Sequence, residues 1–268
     1  MADKKDFKTV EINSDMQDEI DQQIRRHRRK VVRRVITAIF VIALLFVGIQ
    51  LWSALRSYDS YEIRNKIEQQ DSGSAKYETF LGKTVEYNND GIVYRDLDNE
   101  LIWNQSFEMS TPMLSICESY LAIYDQGGTS IYIMTTTGLS KKIETSTPIS
   151  TVCVANQGTV AVLMKEDNVS TVRLYDRKGN ELANGEFYVE KGSFPIDIAL
   201  SYDAQKLAVD MLDVKEGKVS STVSFYNFGS VGQNEIDNNV GTYSYADMFI
   251  SEISYVASDR MVALSDTG

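Results

Sequence analysis

TPMLSIC, residues 111–117, and TPISTVC, residues 147–153, share Thr, Pro and Cys at the same places, 36 residues apart. The chain has two cysteines and three prolines, so this frame takes both cysteines and two of the prolines. Two readings compete: a paired-thiol device, which needs the cysteines, and a structural repeat, which needs only the frame. The third proline favours the repeat. Pro195 opens PIDIAL, and Leu200 stands where Cys117 and Cys153 stand in the other copies. The frame therefore reads as the start of a repeated β-strand, whose first residue can dispense with a ladder donor and so admits proline.

Downstream of each copy the pattern continues. An Ala-centred run follows, Leu121-Ala122-Ile123, Val160-Ala161-Val162 or Leu207-Ala208-Val209, with Pro-to-Ala spacings of 10, 13 and 13 residues. Next comes a third run, SIYIMTTTG, TVRLYDRKG or VSFYNFGS, and then a fourth that leads to the next proline, as in KKIETSTP. GIVYRDLDN upstream reads as an orphan copy of the third run, and ISYVASDRMVALSDTG as a partial copy without the proline. Short β-type runs separated by Asp, Asn and Gly turns predict an all-β domain. Four strands per unit of about 36 to 47 residues is the period of a β-propeller blade. One four-stranded sheet cannot bury both of its faces alone, and a small Ala in the second strand suits close packing between blades. If the last two strands pair with the first run, residues 86–110, a four-bladed ring closes. Four is the small extreme of the usual four to eight or so blades, which favours the other reading, a truncated chain.

One long apolar run precedes the β region: VITAIFVIALLFVGIQLWSAL, Val35 to Leu55, with no charged residue. At about 1.5 Å rise per residue it reaches about 30 Å, the thickness of a bilayer's hydrocarbon core, and it predicts a transmembrane helix. A cleaved signal peptide has a shorter core of roughly 7–15 residues behind a short basic head, and Ser53-Ala54-Leu55 is a poor cleavage site. Arg25, Arg26, Arg28, Arg29, Lys30, Arg33 and Arg34 crowd the N-terminal flank, with only Arg56 immediately beyond. The positive-inside rule then places residues 1–34 in the cytoplasm as a basic tail, and residues 56–268 outside. Ser14 and Gln17 fit a capping box, so a helix starts near Asp15 and runs on into the span. Residues 56–75 read as a helical stalk ending in the joint Asp71-Ser72-Gly73-Ser74, and residues 86–268 as the β ectodomain.

Charge excludes further classes. The first 34 residues hold 10 basic and 7 acidic residues, and the remainder holds 17 and 31. An exterior this acidic is unsuited to nucleic acid or other polyanions. The basic cluster abuts the span, so its expected partner is the lipid bilayer.

On these blades, the ectodomain resembles the broad class of WD-repeat-like and quinoprotein-like propellers. With its anchor, the chain is similar to uncharacterised bacterial single-span membrane proteins carrying an extracytoplasmic β-propeller. The chain has neither the Gly-His…Trp-Asp signature nor a tryptophan docking motif; Trp52 and Trp103 are its only tryptophans. The resemblance thus implies an architecture and transfers no functional residue.

Chemistry-bearing residues are sparse. The single histidine, His27, lies among the N-terminal arginines, which leaves no His-based nucleophile pair or metal ligand in the β region. Two cysteines without CxxC spacing do not suggest a structural zinc site. An oxidising exterior and an even count favour a Cys117–Cys153 disulfide. Against it, equivalent strands of neighbouring blades diverge, whereas a disulfide needs Cα atoms within about 7 Å. Two buried thiols are the preferred expectation. Asp197, Asp203, Asp210 and Asp213, with Asp96, Asp98 and Glu100, supply carboxylates for a glycosidase, which needs two set about 5–9 Å apart. Acidic residues at strand ends are ordinarily turn formers, the reading preferred here. DLDNE and DNNVG lack the spacing of a calcium loop. Tyr94, Tyr124, Tyr132, Tyr175 and Tyr226 read as packing aromatics within strands rather than a binding platform.

The sequence thus predicts an all-β, β-propeller-like protein of four-stranded blades preceded by one transmembrane α-helix, a single-pass signal-anchor protein of the plasma membrane. The expected role is binding or scaffolding of an envelope protein or glycan, without cofactor, metal or catalysis. A glycan-acting hydrolase and a ligand sensor signalling through the span are the alternatives.

Overall fold

The computed structural model describes residues 14–55, 75–188, 192–215 and 217–266. The chain divides into two units, residues 1–66 and 67–268.

The first unit is a helix, α1 (Ser14–Ala54), which begins on the serine of the capping box. Its segment Lys30–Ser53, 24 residues, is apolar and long enough to cross a membrane. The described side chains along it are exposed all round, so nothing within the unit buries this apolar surface. Two of its hydroxyls bond to its own backbone: Thr37 Oγ1 donates to the Arg33 carbonyl at 2.8 Å and Ser53 Oγ to the Gln50 carbonyl at 2.9 Å. Such back-bonding is what an apolar surrounding demands of a hydroxyl. His27, Arg28, Lys30, Arg33 and Arg34 are exposed. The side chains of Arg25, Arg26 and Arg29 and the expected stalk, apart from residue 75, lie outside the described residues.

The second unit is a succession of antiparallel sheets. Blade I comprises β1 (Lys76–Phe80), β2 (Lys83–Asn88), β3 (Gly91–Arg95) and β4 (Leu101–Ser106). Blade II comprises β5 (Pro112–Cys117), β6 (Tyr120–Asp125), β7 (Ser130–Thr135) and β8 (Gly138–Glu144). Blade III comprises β9 (Ile149–Val154), β10 (Val160–Lys165), β11 (Val169–Tyr175) and β12 (Glu181–Tyr188). Blade IV comprises β13 (Ser193–Leu200), β14 (Lys206–Lys215), β15 (Lys218–Asn227) and β16 (Asn239–Ala246). A fifth sheet, V, is the hairpin of β17 (Ile250–Ala257) and β18 (Arg260–Ser265). From blade II onward the first strand of each sheet is innermost: β5 lies against β9, β9 against β13, and β13 against β17.

The core is the set of layers between successive sheets. Side chains alternate faces along a strand, so each second strand feeds two layers. Leu121 and Ile123 of β6 join Phe80, Val85 and Tyr94 of blade I, whereas Ala122 and Tyr124 join Val152, Val162 and Met164 of blade III. Ala161 and Leu163 face Ile198, Leu207 and Val209, and Ala208 faces Ile250 and Ile253. Burial on both faces is why the second strands read as unbroken apolar runs. The expected role of the central alanines holds: Ala122, Ala161 and Ala208 are each 0% exposed between blades.

Three expectations are corrected, and the less favoured ring-closing reading is set aside. The β region begins at Lys76, ten residues before the expected boundary at 86, so GIVYRDLDN is the third strand of a complete blade. β1 and β2 were hidden because β1 buries only Phe80 and their turn uses Leu81 (φ 50) and Gly82 (φ 74) in place of an Asn-Gly signal. Since blade I has its own inner strands, the last two strands do not complete it; they pair with each other as sheet V. Pro195 does not open its strand: it is the third residue of β13, at a register shift between Pro195 and Asp197, where a bulge removes the need for its missing donor. Finally, the two cysteines do not occupy one slot. Ala161 pairs with Cys153, but the equivalent Ala122 and Ala208 pair with Ser115 and Ala199. Cys117 lies at its hairpin, opposite Tyr120. The unequal Pro-to-Ala spacing was the trace of this offset.

Candidate functional site

An innermost strand has one ladder edge without a partner strand, and its backbone groups must find other partners. In each of blades II, III and IV one side chain serves. Ser115 Oγ of β5 accepts from the Val154 N–H of β9 at 3.1 Å. Cys153 Sγ of β9 donates to the Ile198 carbonyl of β13 at 3.0 Å. Asp197 Oδ2 of β13 accepts from the Ile253 N–H of β17 at 2.9 Å. Cys153 and Asp197 are thus staples between successive inner strands. A cavity of about 140 Å³ at this centre is lined in part by Ser115, Cys117, Cys153 and Tyr202.

Both cysteines are free. Burial and the Asp197 carboxylate push the Cys153 thiol up to about 12, against a backbone hydrogen bond from Leu200. Burial and Glu118 push Cys117 up to about 11. Thiolate, the reactive form, is then scarce at neutral pH. At pH 8 the native protein therefore resists iodoacetamide at both positions and runs identically on reducing and non-reducing gels, whereas urea exposes two reactive thiols. A single fast-reacting thiol in the folded chain would contradict this.

The structure brings together two of the carboxylates picked out above. Asp197 and Asp210 are register partners on β13 and β14. Asp210 is 0% exposed, and both of its carboxylate oxygens are buried without a hydrogen-bond partner. It occupies the position two residues past the central Ala, filled in blades II and III by Tyr124 and Leu163. Burial, then Asp197, push Asp210 up to about 7. Asp197 is raised by burial and by Glu252, while the N–H groups of Ile253 and Ile198 and the charge of Lys165 act against the rise. Lys165, on β10, is itself lowered by burial, with Asp197 opposing.

Of the remaining acids, Asp96 and Asp203 are turn formers, whereas Asp213 lies within β14. Asp96 Oδ1 accepts from the N–H of Asp98 (3.0 Å) and Glu100 (2.8 Å), and Asp203 Oδ1 from Ser201 Oγ (2.7 Å) and the Gln205 N–H (3.1 Å). Asp213 meets Thr222 at 3.4 Å and Lys215 at 3.3 Å. Tyr94, Tyr124, Tyr132 and Tyr175 are buried, as packing aromatics should be. Among the described residues no group of three or more His, Cys, Asp or Glu is placed to hold a metal.

Sequence reasoning missed a recess walled by two blades. Between blades III and IV a cleft of about 500 Å³ is lined by Leu174 and Phe187 on one side and Tyr226 and Phe228 on the other. Phe187 and Tyr226 meet edge to face, ring centroids 6.4 Å apart. Asp237 and Asn238 also line it. They belong to the insertion between β15 and β16, which carries two short 3-10 turns, and both adopt positive φ (55 and 59). The signal available was its length: residues 228–238 separate these strands, against residues 136–137 at the same place in blade II.

Sheets stacked through interblade cores around stapled inner strands define a β-propeller. Residues 54–268 match the family of unknown function DUF5711, and the chain belongs to that family. Among solved structures it is similar to Kluyveromyces lactis Hsv2, at 14% identity and a TM-score of 0.50, over 74% of this chain and 66% of that one. A form of Hsv2 with loop 6CD replaced by a Gly-Ser linker matches at 16% identity and a TM-score of 0.50, over 74% of this chain and 64% of that one. BamB from Moraxella catarrhalis matches at 10% identity and a TM-score of 0.38, over 62% of this chain and 63% of that one. The chain thus spans about two thirds of the Hsv2 length, and at these identities the likeness shows the fold alone. A search of curated proteins finds no match.

Proposed function

We propose that this protein is a single-pass plasma-membrane protein, N-terminus in the cytoplasm, that holds its β-propeller outside as a binding or scaffolding module of the cell envelope. The observation that carries the reading is the helix Lys30–Ser53: 24 residues long, uncharged from Val35 onward and exposed throughout, on a chain whose other unit is a propeller. The basic flank supports the orientation through the positive-inside rule. The aromatic cleft between blades III and IV is the recognition surface, because three aromatic side chains at a concave site offer much contact area at little entropic cost. Glycoside hydrolysis by Asp197 and Asp210 is disfavoured by the complete burial of Asp210, which a substrate would have to reach.

A photo-crosslinking residue installed at Asp237, beside the cleft, captures an envelope protein or glycan in intact cells. The same group at Asp167, in the turn between β10 and β11 at the other end of its blade, does not. Capture of nothing but copies of the chain itself at both positions overturns the reading.

A further inference from the structure

We propose that Asp197 and Asp210 form a buried proton-binding site that latches the hairpin β17–β18 onto blade IV and loosens it when the proton leaves. This site is independent of the cleft and of the binding role proposed above.

The two carboxyl groups stand opposite each other on paired strands, on the face of blade IV that meets sheet V. Their neighbours there are the apolar Ala208, Val223, Ile250 and Ile253. Like charges directly opposite in a sheet repel, and in an apolar layer two carboxylates do not both ionise cheaply. Their surroundings divide the roles. Asp197 receives N–H groups from Ile253 and Ile198 and the field of Lys165 on β10, which favour its charged form against the burial that raises it. Asp210 has no donor for either oxygen, so it carries the proton.

Among the described residues, the charge that bears on Asp210 is Asp197. Asp197 in turn feels Glu252 on β17, of like sign, and Lys165, of opposite sign; Cys153 and Tyr124 also lie within its field.

The hairpin depends on this layer. Three of its ties to blade IV are the Ile253 N–H to Asp197, the Ile250 N–H to Ser221 Oγ at 2.9 Å, and Lys206 Nζ to the Ser258 carbonyl. Ionised Asp210 would leave a second charge in that layer without a partner, and only parting of the sheets would let water reach it. Asp210 in the folded protein lies near 7, above its ordinary 3.8. The stability it contributes is therefore complete below about pH 4 and is lost as pH rises to about 7.

The test is hydrogen exchange of the full chain in detergent, corrected for intrinsic rates, on peptides covering residues 250–265. Wild type shows about tenfold or greater protection at pH 5 relative to pH 8, and Asp210→Asn shows a ratio near one. Infrared difference spectra supply a readout that does not depend on stability: wild type at pH 6 carries the band of a protonated buried carboxyl, absent from Asp210→Asn. Equal protection at both pH values, no such band, or a ratio unchanged in Asp210→Asn overturns the proposal. Millimolar calcium that removes the band and restores full protection at pH 8 also overturns it, by making the pair a cation site.

Discussion

On the proposed membrane anchoring, lysine at both position 42 and position 45 releases the chain from membranes. Ile42 and Leu45 lie near the middle of Lys30–Ser53, and both are exposed. A lysine at the centre of a spanning helix costs roughly 2.5–3.5 kcal/mol on insertion scales, and each change also forfeits the favourable term of the residue it replaces. Ile42→Lys with Leu45→Lys thus costs about 6 kcal/mol or more, enough to turn insertion from favourable to unfavourable. Alkaline carbonate extraction reads the outcome: wild type stays with the membrane pellet and the double variant moves to the supernatant. If wild type is itself extracted, the helix is no anchor.

Aspartate at position 163 strongly destabilises the propeller at neutral pH. Leu163 is 0% exposed between blades III and IV and is the counterpart of Asp210 one blade earlier. Leu163→Asp removes a buried apolar side chain and leaves a carboxyl with no assured partner, together roughly 4 kcal/mol or more. Because the buried acid survives only by keeping its proton, the loss is smaller at pH 5 than at pH 8. Urea unfolding of the two proteins at the two pH values measures both effects. Equal losses at pH 5 and pH 8 would mean that the slot is not desolvated, and the account of Asp210 would fall with it. Asp210 itself is tolerated because the proton removes its charge, at the cost of roughly 4 kcal/mol of folding stability by pH 7 for a shift of this size.

Much of the architecture was legible along the chain. Period, turn residues and the Ala-centred runs reported the blades because each strand is a local unit whose pattern repeats at fixed spacing. β1 escaped because four of its five residues are exposed, so it carries no apolar alternation to read. The insertion at residues 228–238 was visible as extra length, but that it walls a cleft with Asp237 and Asn238 depends on residues of blade III far away in sequence.

The heptapeptides show where that limit falls. Their shared spelling marks two strands that begin alike. It says nothing of pairing, where a difference of three residues in spacing puts Cys153 opposite Ala161 and leaves Cys117 at a hairpin. By itself the sequence determined the long apolar helix, the all-β class and the repeat, because these rest on periodicity and composition within single segments. Only the tertiary structure decided which side chains staple one inner strand to the next, and that Asp197 and Asp210 share a buried face. Those facts rest on register between strands and on burial by the neighbouring blade, neither of which is written in any one stretch of the chain.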